Sequence, residues 1–262
     1  MPFLTEYCPP LHYRVEGSTT GEWVTFSHSL FADLSIWDPQ VEALSHRYRI
    51  LRYDQRGHGA TALGANSHPL TFGILADDVI ALLDRLEIDR THFVGSSIGG
   101  TTGVVLAARA AGRIGRLVVA GSRPWAPPEA RAAWEQRIAT VRSQGLTALV
   151  DPTVARWFSP TTVRDRPPGL RRLRAVMNTT SPAGYIRVAE MLCAYDVRTE
   201  AESLTCPVHY IGGSLDPGWR EAVEQFTSGH SRRLTVIEGV GHLPNVEDPG
   251  GFSGVLLDSL TC

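Results

Sequence analysis

The chain is 262 residues long, 43% hydrophobic, and sets 25 basic against 27 acidic side chains for a net charge of −2. A chain of this size can bury one large α/β core, alone or with a small insertion. Near-neutral charge, without a basic tail or a basic run interleaved with aromatics, argues against nucleic acid as a partner.

The opening Met1–Cys8 has no charged start followed by an apolar core, so no secretory signal is expected there. Trp23–Ser27 reads as a strand and runs into the loop His28-Ser29-Leu30-Phe31. A further strand, Tyr48–Tyr53, ends in Asp54-Gln-Arg-Gly-His-Gly59. The charges and glycines of that segment are expected to lock a turn by internal hydrogen bonds rather than to do chemistry. Between Thr71 and Leu86, the side chains of Leu75, Val79, Leu82, Leu83 and Leu86 share one helical face, with Asp77 and Asp78 expected near its positive end.

Thr91-His-Phe-Val then leads into Gly95-Ser96-Ser97-Ile98-Gly99 and a long stretch rich in Ala and Val. Strand, sharp turn and helix around Gly-x-Ser-x-Gly form a nucleophile elbow, which strains the serine backbone and exposes its Oγ. Gly95 and Gly99 come too close together for side chains, and Gly103, Ala107, Ala108, Ala110 and Ala111 let the helix lie against a sheet. The helix points free amides and its positive end at any negative charge forming beside Ser97. The amide of Ile98 is one such donor. The amide of Leu30, from the loop after Ser27, is its expected partner in an oxyanion hole, with His28 positioning that loop.

After a strand at Arg116–Ser122 the alternation of strand and helix breaks. Pro124, Pro127 and Pro128 mark the exit, and the stretch up to Thr205 is helical by period. Trp134, Ile138 and Val141 share a face, and Ser181-Pro182 has the chemistry of another helix start. The expected organisation is a core of residues 1–122 and 206–262, with residues 123–205 as a helical cap over the elbow. That cap holds 12 arginines against eight acids, a net of +4, whereas the remainder nets −6. Arg171, Arg172 and Arg174 read as solvated surface. Arg131, Arg137 and Arg187 are candidates to face inward and attract a carboxylate, with Trp134 and Trp157 as apolar walls.

A serine hydroxyl needs a base to take its proton and an acid to hold that base. Pro207–Gly213 reads as a buried strand whose exit loop carries Asp216, and Arg233–Gly239 as a strand followed by Val240-Gly241-His242-Leu243-Pro244. Ser, then Asp, then His, each directly after a strand, is the order of an α/β-hydrolase triad. The expected triad is Ser97, Asp216 and His242. Asp196 is a rival acid, and His230 a rival base that precedes its strand in a polar run. The alternative acid position after the strand Arg116–Ser122 is Arg123. Cysteines at 8, 193, 206 and 262 form no Cys-x-x-Cys pair, which fits reduced thiols in a cytoplasmic protein. No residue cluster has metal-ligand spacing and no cofactor is expected. No apolar run approaches the ~20 residues of a membrane span, so no membrane partner is expected.

Three stretches together carry a resemblance: Ser27–Gln40, Leu51–Gly59 and the elbow. With Arg137–Gly145 and Ala155–Ser159 of the cap, the chain resembles the 3-oxoadipate enol-lactonases of the α/β-hydrolase superfamily over nearly its whole length. The elbow and the His242 loop mark the superfamily; Ser29-Leu30 and the cap stretch point to the lactonases. His28 stands where members usually carry Asn, Phe31 where they carry Gly, and Ser96 where they carry Leu. The resemblance implies an α/β-hydrolase fold, a doubly wound, mostly parallel sheet with an inserted helical lid. It also implies a small-molecule lactone or ester substrate, a carboxylate-bearing enol-lactone foremost, opened through an acyl-enzyme on Ser97. A carboxylesterase or a carbon–carbon bond hydrolase would use the same triad, and a ligand receptor could reuse the scaffold. Serine at the elbow disfavours dehalogenase and epoxide hydrolase chemistry. Self-association as a homo-oligomer stays open.

Overall fold

The computed structural model describes residues 2–64, 69–227 and 232–261. Eight strands form one sheet: β1 (Phe3–Leu4), β2 (Leu11–Gly17), β3 (Trp23–Ser27), β4 (Arg49–Tyr53), β5 (Thr91–Ser96), β6 (Ile114–Ala120), β7 (Val208–Gly213) and β8 (Arg232–Ile237). Their order is β1-β2-β4-β3-β5-β6-β7-β8. β1 and β2 pair antiparallel, and every pairing from β4 to β8 is parallel. This is the doubly wound, mostly parallel α/β sheet expected from the alternation of elements. The six strands expected from sequence lie within two residues of their expected bounds. β1 and β2 were not expected.

Alternate residues of the central strands feed two helical layers. Phe93 of β5 faces the helix Ile98–Arg109, where a Cβ on Gly103 would come within 2.7 Å of the Phe93 ring. Phe26 of β3 points to the opposite face and packs on Trp37, ring centroids 4.9 Å apart. Trp37 in turn meets Phe252 of the helix Pro249–Thr261. Burial on both faces explains why β5 and β7 read as continuous apolar runs.

The segment Asp54–Gly59 is structural, as expected. Asp54 accepts the amides of Leu34 at 2.9 Å and Ala60 at 2.8 Å, and pairs with His12 Nδ1 at 2.6 Å. Arg56 makes two 2.6 Å hydrogen bonds to Asp78, both side chains being almost fully buried. The helix here is Phe72–Arg85, capped by the Thr71 hydroxyl. Asp77 and Asp78 therefore stand at mid-helix, beyond the reach of the dipole, and answer Arg109 and Arg56 instead.

Between β6 and β7 the chain forms the helices Ala130–Gln144, Val150–Trp157, Pro160–Asp165, Pro168–Thr179, Pro182–Leu192 and Arg198–Ser203. Ser181 caps the fifth of these through its hydroxyl, with Pro182 at the first position. Arg172 reaches out of this insertion to Asp38, which also accepts from Arg52 of β4. Arg171 and Arg172 are exposed, as expected, whereas Arg174 is half-buried and pairs with Asp151. Among the described residues, no helix is long and apolar enough to cross a membrane. His230 and Cys262 lie outside the described residues.

Removing Asp78 would strand the buried Arg56 guanidinium with only the Tyr7 hydroxyl and the Cys8 carbonyl, at 3.4 and 3.3 Å. Asp78→Ala is expected to cost about 3–5 kcal/mol in urea unfolding. A loss below about 1 kcal/mol would show that the pair does not anchor the turn.

Candidate active site

Ser97 sits between β5 and the helix Ile98–Arg109 with φ +52° and ψ −115°, a conformation L-residues seldom adopt. Its amide donates to the Ala120 carbonyl of β6 at 2.8 Å. Its own carbonyl accepts the amides of Gly100 and Thr101 and the Ser122 hydroxyl. The turn is possible because a Cβ on Gly95 would strike the Gly99 backbone, and one on Gly99 would strike the Ser27 carbonyl.

Asp216 follows β7 and His242 follows β8. His242 Nε2 lies 3.1 Å from Ser97 Oγ, and His242 Nδ1 lies 2.8 Å from Asp216 Oδ2. The imidazole and carboxylate side chains are mostly buried, 18% and 10% exposed, which keeps this chain of hydrogen bonds largely out of bulk water. The arrangement suits passage of a proton from hydroxyl to imidazole, with the carboxylate fixing the Nδ1–H tautomer. Asp196 is exposed and bound to Arg198, away from this constellation.

These three residues open onto a cavity of about 310 Å³ that Leu30 and Ile98 also line. Neither the Leu30 nor the Ile98 amide donates a hydrogen bond to another described residue. The Leu30 loop is held from below by His28, which is fully buried. His28 Nδ1 donates to the Ser29 carbonyl at 2.8 Å, and Nε2 accepts the Gln55 amide at 2.9 Å. Phe31 takes φ +66°, a left-handed value that suits glycine. Its ring lies 4.7 Å from Tyr185 of the insertion.

Trp134, Arg137 and Trp157 line the cavity, as the sequence suggested. Arg131 and Arg187 do not, and this corrects the expectation for both. On the helix Ala130–Gln144 the lining residues are Ala130, Ala133, Trp134 and Arg137, one face at helical spacing. Arg131 stands about 120° round from Arg137 at ~100° per residue, and pairs with Glu135 in solvent. Arg187 is turned about 140° from the lining Leu192 by the same rule, and pairs with Glu190. Arg156, Arg123, Glu129 and Tyr195 also line the cavity and were missed. Arg156 adjoins Trp157 in sequence, which was the available signal. Arg137 donates to the hydroxyls of Tyr185 and Thr153, both neutral. Arg156 is exposed and forms no hydrogen bond or ion pair with another described residue. Among the described residues, no group of three or more His, Cys, Asp and Glu could hold a metal ion.

A sheet of this order, with these three side chains on the loops that follow β5, β7 and β8, defines a hydrolase-type architecture. The alpha/beta hydrolase family model matches residues 21–255, and the chain belongs to that family. It is 35% identical over 252 residues to 3-oxoadipate enol-lactonase 2 of Acinetobacter baylyi, covering 95% of this chain and 92% of the relative. It is 33% identical to 3-oxoadipate enol-lactonase 1 of the same organism, over 92% of this chain and 90% of the relative. The crystal structure of the enol-lactonase from Burkholderia xenovorans LB400 superposes with a TM-score of 0.90 at 35% identity, covering 100% of both chains. The resemblance drawn from the sequence motifs is thereby borne out.

Beneath the Leu30 loop, burial lowers the pKa of His28. Burial first, then the repulsion that His28 would exert if both rings were protonated, lowers that of His58 to about 3. Both imidazoles are neutral in the fold and take up protons on unfolding below about pH 6.5. Their contribution is whole above that value and lost as pH falls through the folded-state pKa, about 3 for His58. The urea midpoint is therefore expected to drop with acidification, at up to about 1.4 kcal/mol per pH unit per histidine. His58→Gln should flatten the drop; an unchanged slope would contradict the assignment.

Proposed function

We propose that this chain is a serine hydrolase that opens a carboxylate-bearing enol-lactone, 3-oxoadipate enol-lactone foremost, through an acyl-enzyme on Ser97. The observation that carries the reading is the unbroken hydrogen-bonded series from Ser97 through His242 to Asp216, opening on one cavity with Leu30 and Ile98. The names of the relatives supply the lactone.

In this mechanism Ser97 Oγ attacks the lactone carbonyl carbon while His242 Nε2 takes the hydroxyl proton. Asp216 holds the imidazole and stabilises its charge. The amides of Ile98 and Leu30 stabilise the tetrahedral oxyanion, each typically worth about 10²–10³ in turnover. As the ring carbon–oxygen bond breaks, the departing enol oxygen receives the proton from His242. The imidazole next deprotonates water, which attacks the acyl-enzyme and releases the acid and Ser97. The freed enol tautomerises to a ketone, which makes the opening effectively irreversible.

Arg137 and Arg156 line the cavity with no carboxylate partner, which leaves both guanidinium groups available to an anion. They are the proposed subsite for the substrate carboxylate. Trp134 and Trp157 form apolar walls. The helices from Ala130 to Ser203 act as the cap that closes this space, with the core formed by the residues on either side.

Ser97→Ala is expected to lower kcat by on the order of 10⁶, and a fluorophosphonate probe should label Ser97. Appreciable lactonase or esterase turnover in the variant would defeat the acyl-enzyme reading. In a panel of carboxylate-bearing enol-lactones, neutral lactones and aryl esters, Arg156→Met should raise KM for the charged substrates about ten- to hundredfold, the worth of one charge-assisted hydrogen bond. KM for uncharged aryl esters should stay within about twofold. Equal effects on both groups would remove Arg156 from the subsite.

A further inference from the structure

Glu247 ends the short helix Pro244–Glu247 that follows the His242 loop. Its two carboxylate oxygens hold two distant parts of the chain. Oε2 accepts the amide of Gly241, the residue before His242, at 2.7 Å. Oε1 accepts the amide of Ser159 at 2.8 Å. Ser159 joins the helices Val150–Trp157 and Pro160–Asp165 of the insertion. A second tie runs alongside, for the His242 amide donates to the Trp157 carbonyl at 2.7 Å. The Trp157 indole also lies against the imidazole, ring centroids 5.4 Å apart. A third tie is steric: a Cβ on Gly241 would run into the Trp157 carbonyl, so only glycine lets the two segments meet.

We propose that Glu247 is a positioning residue that fastens the base loop to the cap, so that His242 is presented to Ser97 only while Trp157–Ser159 is seated. This rests on the reading of Ser97, Asp216 and His242 as the triad. The amides of Gly241 and His242 are both satisfied from outside their own loop, one by Glu247 and one by the cap. Both Glu247 oxygens must accept hydrogen bonds, which an ionised carboxylate does. Glutamine has the same shape but one acceptor oxygen, and its NH₂ would face an N–H donor. Glu247 does not line the catalytic cavity, so a change there removes no direct contact to the substrate. The imidazole would shift, and misplacement by about 1 Å can cost about 10²-fold in rate.

The test is Glu247→Gln in the full chain, with turnover normalised to the number of Ser97 sites labelled to completion by fluorophosphonate. The expected result is kcat lower by about ten- to hundredfold, KM within about threefold, and slower labelling in parallel. Unchanged kcat per labelled site, with only less folded protein, would make Glu247 a stabilising residue and overturn the proposal. A second pair approaches from the cap. Ser159 has φ −60° after an extended Phe158, so proline fits the backbone and removes the amide donor. The Ser159 hydroxyl caps the next helix through the Thr162 amide, so Ser159→Ala is the reference for Ser159→Pro. Their kcat ratio is expected to be about one-tenth or less. If Glu247→Gln does not fold, that ratio decides by the same criterion. Failure of wild-type Ser97 to label would overturn the triad reading. Labelling with undiminished kcat in these variants would overturn the clamp alone.

Discussion

A single residue held where it would not otherwise rest organises this molecule. Ser97 keeps a left-handed φ at a cost of about 1–3 kcal/mol, and the surroundings leave it no way to relax. Its amide is tied to β6, its carbonyl is bonded three times, and the glycines on either side admit no Cβ. The Gly99 approach does more than permit the turn. Contact with the Ser27 carbonyl seats the start of the helix directly on the end of β3, from which the Leu30 loop departs. The amides of Ile98 and Leu30 therefore come to one cavity as a consequence of the elbow.

The helical insertion is built into the machinery below it at three places. Trp157 and Ser159 engage the His242 loop. Tyr185 packs on Phe31, whose positive φ would suit glycine, and the Tyr185 hydroxyl accepts from Arg137. Gly184 lies so close to Gly57 that neither position admits a side chain. The His242 loop, the Leu30 loop and the turn after β4 thus all meet the same layer. Phe31 is instructive here: a bulky residue can hold a conformation suited to glycine because its ring gains a packed partner from above. The hydrogen bonds of buried His28 hold the same loop from below, so its backbone is fixed on both sides.

The central strands and the Ser97, Asp216 and His242 positions were legible because each depends on local pattern. β5 and β7 are buried on both faces and read as apolar runs, and each candidate residue follows a strand end. β2 was not legible because Leu11–Gly17 lies toward the sheet edge and mixes charged with apolar residues. β1 is only two residues long. Which arginines face the cavity depends on helix rotation and on the seat of the whole insertion. Arg131 and Arg137 look equivalent in sequence yet point about 120° apart. Arg156 gains its place from the end of a short helix whose docking is long-range. Glu247 escaped notice because its partners are backbone amides, one of them 88 positions away in the chain.

The charge of the insertion shows why a count of arginines does not by itself tell which of them line the cavity. Of its 12 arginines, Arg131, Arg142, Arg164, Arg172, Arg174, Arg187 and Arg198 meet carboxylates. Such pairs are largely surface features, each worth little and screened by salt. Arg123, Arg137 and Arg156 meet no carboxylate in an ion pair and all line the cavity. These three place positive charge around the cavity, with Arg137 and Arg123 half-buried and Arg156 exposed at its rim, while Arg166 and Arg171, which also meet no carboxylate, stand on the open surface. Glu129 and Asp216 on the cavity lining limit that charge, and Asp216 is already engaged with His242. What a ligand meets is therefore positive on the Arg137 and Arg156 side and hydrogen-bonding on the Ser97 side. Under the proposed function, that polarity would orient a molecule carrying an anionic group at one end and a reactive carbonyl at the other.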